Sequence, residues 1–117
     1  MAASTVDTYL SGLSSETRTV TEHVWSRLQR GVPDGEPCIA YGIPTLKVNG
    51  RSVVHVGGWT SHVSVYPIPH DDHELRHELS PYIAGRGTLK FSLRAPVPYD
   101  LIERVAVALR AEHDAHE

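Results

Sequence analysis

The most conspicuous group of potential metal ligands lies in one short segment, HELRH at residues 73–77. Two histidines four residues apart lie on the same side of a helix, where they can bind zinc while the glutamate acts as a general base. This interpretation predicts a metallopeptidase. The segment has little apolar content and no third histidine follows through a glycine, so the alternative is a solvated surface helix.

A wider set of carboxylates and imidazoles surrounds this motif. Such groups bind iron or zinc with modest affinity. The candidate metal ligands are Asp72, His73, His77 and Glu78. Acidic residues near the start of a helix are also favoured by the helix dipole. The segment therefore predicts either a divalent-metal surface or ordinary charge placement on an exposed helix.

A second group of polar side chains is distributed over predicted strands and the turns that join them. If these strands are neighbours, their polar faces converge on one pocket, which is the usual form of a ligand site. Otherwise each residue lies separately on a solvated surface. The candidate ligand-binding residues are Tyr41, His62, Tyr66, Thr88 and Lys90.

Helices are predicted near both ends of the chain. Apolar residues recur every four positions from Val20 to Leu28, which predicts a long amphipathic helix that Gly31 ends. A shorter helix is predicted before it, at about residues 5–13. The polar residues 111–117 are expected to fray. The apolar stripe of the C-terminal helix consists of Ile102, Val105, Ala106 and Leu109.

The middle of the chain has the two-residue period of β-strands. Asn49 and Gly50 predict a hairpin, because a type I′ turn needs positive φ at both central residues. Further strands are predicted at residues 62–66 and 88–93, with a short helix to about Leu79 between them. Tight turns between consecutive strands imply an α+β fold, an antiparallel sheet of about five strands with the N- and C-terminal helices packed on one face.

Composition and length bound the class of protein. The 117 residues suit one domain, 1–117, with a core at about residues 5–110. The net charge of −3 argues against a nucleic-acid partner, because phosphate neutralisation supplies the affinity of such proteins. Cys38 is the single cysteine and cannot form an internal disulfide. The sequence shows no signal peptide or membrane span, so a cytoplasmic location is expected.

The order of five motifs resembles that of YdhG-like proteins. The motifs are YGIP at 41–44, NG at 49–50, HVSVYP at 62–67, GRGTLKF at 85–91 and PVPYDLI at 96–102. TVDTYL at 5–10 is also similar to the start of that family, a domain of largely unknown function. The resemblance implies a frataxin-like two-layer sandwich. Some members are described as intracellular iron chaperones, which implies iron as cargo and a protein acceptor as partner.

Two classes of function follow from these observations. The resemblance implies a non-enzymatic intracellular binding protein for iron homeostasis. Its metal surface would lie within residues 71–78, where this sequence concentrates carboxylates and histidines. The alternative is a small-molecule or peptide-binding module that uses the polar pocket on the sheet. A metallopeptidase is the third hypothesis. No catalytic residue and no resident cofactor are assigned.

Overall fold

The computed structural model describes residues 5–115. Within them the chain forms helices α1 (Val6–Ser11) and α2 (Ser15–Gly31), then strands β1 (Glu36–Ala40), β2 (Ile43–Val48), β3 (Arg51–Gly58) and β4 (His62–Tyr66). Helix α3 (His73–Leu79) and a 3₁₀ turn (Ser80–Tyr82) precede β5 (Ile83–Ala84), β6 (Thr88–Ser92) and α4 (Tyr99–Ala115). No helix in this part of the chain is long and apolar enough to cross a bilayer.

The strands form one antiparallel sheet in the order β1-β2-β3-β4-β6-β5. Asn49 and Gly50 have φ of 52° and 76°, which confirms the predicted type I′ hairpin between β2 and β3. A second turn of this form joins β1 to β2 through Tyr41 and Gly42. The α+β class and the antiparallel sheet are thus confirmed. The sheet has one strand more than the five expected, and β5 contributes two residues.

Helices α2 and α4 contact each other and β3, on the face of the sheet that forms the core. The side chains that fill this layer from the sheet are Val54, Val56, Val63, Val65, Leu89 and Phe91. Gly31 is the last residue of α2, which confirms that the helix ends there. A Cβ atom on Gly31 would lie 2.5 Å from the Cβ of Ala106. Glycine therefore allows α2 and α4 to approach closely at this point.

Helix α4 extends beyond residue 110, where the core was expected to end. It continues to Ala115, and the side chain of His113 is buried. Arg110 pairs with Asp34 at 2.8 Å, which ties this part of the helix to the loop after α2. Residues 111–115 are thus helical, in place of the frayed segment expected there. The last two residues of the predicted tail, 116 and 117, lie outside the described part of the chain.

Candidate ligand-binding groove

The sheet face opposite α2 and α4, called the outer face here, carries the candidate site. Residues opposite one another in an antiparallel pair share a face. The register places Thr45, His55 and Tyr66 side by side across β2, β3 and β4. Gly57 and Lys90 belong to the next row, on β3 and β6, separated by one residue of β4. Side chains from these rows and from two adjoining turns can therefore meet.

An open groove of about 510 Å³ lies on this face. Aromatic and apolar side chains make up most of its lining, with few polar atoms among them. The lining residues are Tyr41, Ile43, His55, Trp59, Tyr66 and Pro67. A concave, largely apolar surface of this size with a small number of polar groups is typical of small-ligand sites.

Tyr41 forms one wall from the turn between β1 and β2. Its φ is 55°, which is uncommon for a residue other than glycine. The left-handed conformation costs about 1 kcal/mol for a residue with a Cβ. Tyr41 is 91% exposed, and its ring makes a T-shaped contact with the His55 ring with the centroids 5.7 Å apart. An exposed tyrosine is thus held in a strained turn, as is often found at functional sites.

Trp59 closes one end of the groove by lying against the backbone of β3. A Cβ atom on Gly57 would come within 2.9–3.1 Å of three indole atoms, so glycine is what allows the ring to rest on the strand. The backbone N–H of Trp59 donates to the backbone carbonyl of His62 at 2.9 Å, and the backbone carbonyl of Trp59 accepts from Thr17 Oγ1 at 3.0 Å. The ring remains 44% exposed and therefore offers a contact surface to a ligand.

His55 supplies an imidazole between these rings. Its Nδ1 lies 2.7 Å from Oγ1 of the buried Thr45, whose hydroxyl also donates to the carbonyl of Ile43 at 3.1 Å. Burial lowers the pKa of His55 below its ordinary 6.5, so the ring is neutral at pH 7. Within residues 5–115, Nε2 has no hydrogen-bond partner. It is therefore free to bond a ligand.

The structure separates the residues that were expected to share one pocket. Tyr41 and Tyr66 line the groove. His62 lies beyond it, with its ring stacked beside Trp59 at a centroid distance of 6.3 Å. Lys90 acts electrostatically on His62 from β6. Thr88 pairs with β5 at the end of the sheet and does not line the groove.

Sequence reasoning missed His55 and Trp59, although both leave a signal. His55 alternates with the buried Val54 and Val56, which places it on the outer face. Two consecutive glycines, Gly57 and Gly58, are typical of a bulge or a strand end. A glycine inside a strand also marks the close approach of another group, and here that group is the indole that follows.

Comparison with solved structures identifies the architecture. The chain is similar to the crystal structure of a protein from the DUF1801 family, YdhG of Bacillus subtilis, with a TM-score of 0.77 over 97% of this chain and 92% of that one. The chain has the YdhG fold. The resemblance drawn from the motifs is thus confirmed at the level of the fold, which is all that 18% identity shows. No protein-family model and no curated protein matches the sequence.

The predicted metal ligands lie at α3 of the YdhG fold, and two of them are already engaged. Asp72 caps α3, with Oδ1 accepting from the Leu75 N–H at 2.9 Å. Glu78 pairs with Arg104 at 2.8 Å, and this hydrogen bond lowers the pKa of the carboxyl. Among residues 5–115, no three or more His, Cys, Asp or Glu side chains form a group that could hold a metal ion. The arrangement does not fit a resident ion.

Proposed function

We propose that this protein is a cytoplasmic, non-enzymatic binding protein whose outer-face groove takes a small apolar or aromatic molecule. The observation that carries the proposal is the placement of the rings of Tyr41, Trp59 and Tyr66 around a neutral His55. Aromatic rings provide a large, rigid contact area and favour offset or edge contacts with a second ring. The free Nε2 of His55 supplies a directional hydrogen bond, so the groove combines affinity with orientation.

The same geometry favours binding over catalysis. A histidine acts as a general base when it contacts the proton of a reacting group or of a nucleophile. The hydroxyl that His55 contacts belongs to Thr45, which is fully buried and also bonded to a backbone carbonyl. A substrate in the groove cannot reach this oxygen, so the contact holds the imidazole in place and does not activate a nucleophile.

Iron delivery to a protein acceptor, which the family resemblance implies, stays a prediction. The groove lining contains one imidazole and no carboxylate, whereas non-haem Fe(II) sites typically combine two histidines with a carboxylate. At α3, Asp72 and Glu78 already have partners, as described above. The proposal therefore rests on the groove.

The test uses N-phenyl-1-naphthylamine, an uncharged aromatic probe, with ¹⁵N-labelled protein. The chain has two tryptophans, so its spectrum contains two indole N–H signals. Trp25 is buried in the core and serves as the internal control. We expect the probe to shift the Trp59 signal in a saturable manner and to leave the Trp25 signal in place. Trp59→Ala should abolish binding, as measured by probe fluorescence.

A second groove between α3 and α4 supplies the matched control variant. Val107 lines that groove and is 54% exposed. Val107→Ala should leave probe affinity unchanged. The proposal is overturned if the probe does not bind, or if its binding survives Trp59→Ala.

A further inference from the structure

Two basic side chains lie on the outer face on the same side of the groove as the indole. His62 stacks beside Trp59, and Lys90 lies one strand further along the outer face. Lys90 aligns across β4 with Gly57, the residue on which the indole rests. The backbones of Gly57 and Lys90 lie two strands apart, which is a distance of about 10 Å. A lysine side chain spans most of that distance, so its ammonium group can reach a ligand that lies on the indole.

Lys90 and His62 act on each other electrostatically in the free protein. Burial lowers the pKa of His62, and the positive charge of Lys90 lowers it further. An anion placed between the two side chains would attract the Lys90 ammonium and favour the protonated form of His62. Lys90 is exposed and has no carboxylate partner within the described residues. Its charge is therefore available to a ligand.

The strands around this pair contain no competing negative charge. Neither aspartate nor glutamate occurs in β3, β4 or β6. The other lysine, Lys47 on β2, lies directly opposite Glu36 of β1. A positive end without counter-charge thus adjoins an apolar groove, which matches a molecule with a ring at one end and an anionic group at the other.

We propose that the groove binds an aromatic anion, with its ring against Trp59 and its carboxylate or sulfonate group at Lys90 and His62. This inference rests on the proposed function and names the class of ligand. The ring supplies contact area, and the anionic group decides orientation and selects against uncharged arenes. A ring without the charge still fits the groove but leaves Lys90 unused.

Two probes that differ by one group test the inference. 8-Anilinonaphthalene-1-sulfonate is N-phenyl-1-naphthylamine with an added sulfonate. The ratio of the two affinities therefore measures how much the anionic group contributes to binding. We expect the sulfonate probe to bind about fivefold more tightly at low ionic strength, as for a partly exposed ion pair. Lys90→Gln should bring the ratio near one. Salt should reduce the ratio in the unmodified protein because it screens exposed charges.

Lys47→Gln is the matched control, since Lys47 is also on the outer face but outside the groove lining. It should keep the preference for the sulfonate probe. Equal affinity for the two probes, or a preference that survives Lys90→Gln, overturns the inference and leaves the proposed groove intact. Failure of both probes to bind, or binding that persists in Trp59→Ala, overturns the groove and the inference together.

Discussion

The indole of Trp59 occupies the space that a side chain on Gly57 would need, and a Cβ there would lie 2.9 Å from the ring. A Gly57→Ala substitution must therefore displace the ring, which is half exposed and can move outward. We expect a shifted tryptophan emission spectrum and about tenfold weaker binding of N-phenyl-1-naphthylamine, because the ring contact is worth about 1 kcal/mol or more. The free energy of unfolding should change by less than about 1 kcal/mol, since alanine suits a strand better than glycine.

Gly87→Ala is the control for this substitution, because a Cβ on Gly87 meets no atom within 4 Å. It should leave both emission and probe affinity unchanged. Unaltered probe binding in Gly57→Ala would show that the position of the indole is not what forms the groove.

Tyr41 retains a left-handed backbone at a position where asparagine is the favoured residue of a type I′ turn. We expect Tyr41→Asn to raise the free energy of unfolding by about 0.5–1 kcal/mol, because asparagine tolerates positive φ. The same change removes one wall of the groove and should weaken probe binding. Tyr41→Phe keeps the ring and the strain, so it should alter neither quantity strongly. A Tyr41→Asn variant less stable than the parent in urea unfolding would contradict the strain argument.

Local patterns predicted the elements whose signals lie within a few residues. Asn49 and Gly50 predicted their hairpin, and Leu89 and Phe91 are buried while Lys90 is exposed, as alternation requires. Tyrosine favours strands, so the residue type of Tyr41 gives no signal of its positive φ. The bend there comes from the pairing of β1 with β2, a tertiary relationship.

The candidate site was only partly predictable because tertiary contacts, and not local patterns, bring its residues together. Alternation identified Tyr66 and His62 as outward-facing residues, but their distance from Tyr41 depends on strand order, which no local pattern contains. Trp59 lies outside every strand, and it joins the groove because its ring folds back over Gly57. The groove thus arises from a contact between a loop and a strand, which the two-residue period of a strand does not predict.

His55 should make the stability of the protein depend on pH. Burial holds its pKa below the ordinary 6.5, so below pH 6.5 the unfolded chain takes up a proton before the folded one does. The contribution of His55 is fully present above pH 6.5 and falls as pH decreases toward its folded pKa. Urea unfolding measured from pH 5 to pH 8 should show that the free energy of unfolding depends less steeply on pH in His55→Gln than in the parent.

His73→Gln controls for this measurement, because it removes a histidine from the exposed side of α3 without touching the groove. The part of the difference between the parent and His55→Gln that is the same at every pH would reflect the lost contact with Thr45. If the whole difference were independent of pH, the assignment of the buried neutral imidazole would be contradicted.

His113 is 8% exposed, and neither ring nitrogen has a hydrogen-bond partner within residues 5–115. Burying a polar group without a partner costs about 1–3 kcal/mol. We expect His113→Leu to raise the free energy of unfolding by about 1 kcal/mol, measured by thermal or urea unfolding. Glutamine has a helix propensity similar to that of leucine but is polar, so His113→Gln should not raise the free energy of unfolding. Equal stabilisation by both variants would assign the effect to helix propensity and not to desolvation.

Divalent metal binding at α3 should depend on its histidines and not on its carboxylates. His73 and His77 are exposed and one turn apart, whereas Asp72 caps the helix and Glu78 pairs with Arg104. Anaerobic calorimetric titration with Fe(II), and with Zn(II) for comparison, should give weak binding that the double variant His73→Ala, His77→Ala removes. Asp72→Asn keeps the cap and Glu78→Gln removes one charge, so neither should change the affinity. Stoichiometric, micromolar Fe(II) binding that requires both carboxylates would instead support iron carriage at this helix.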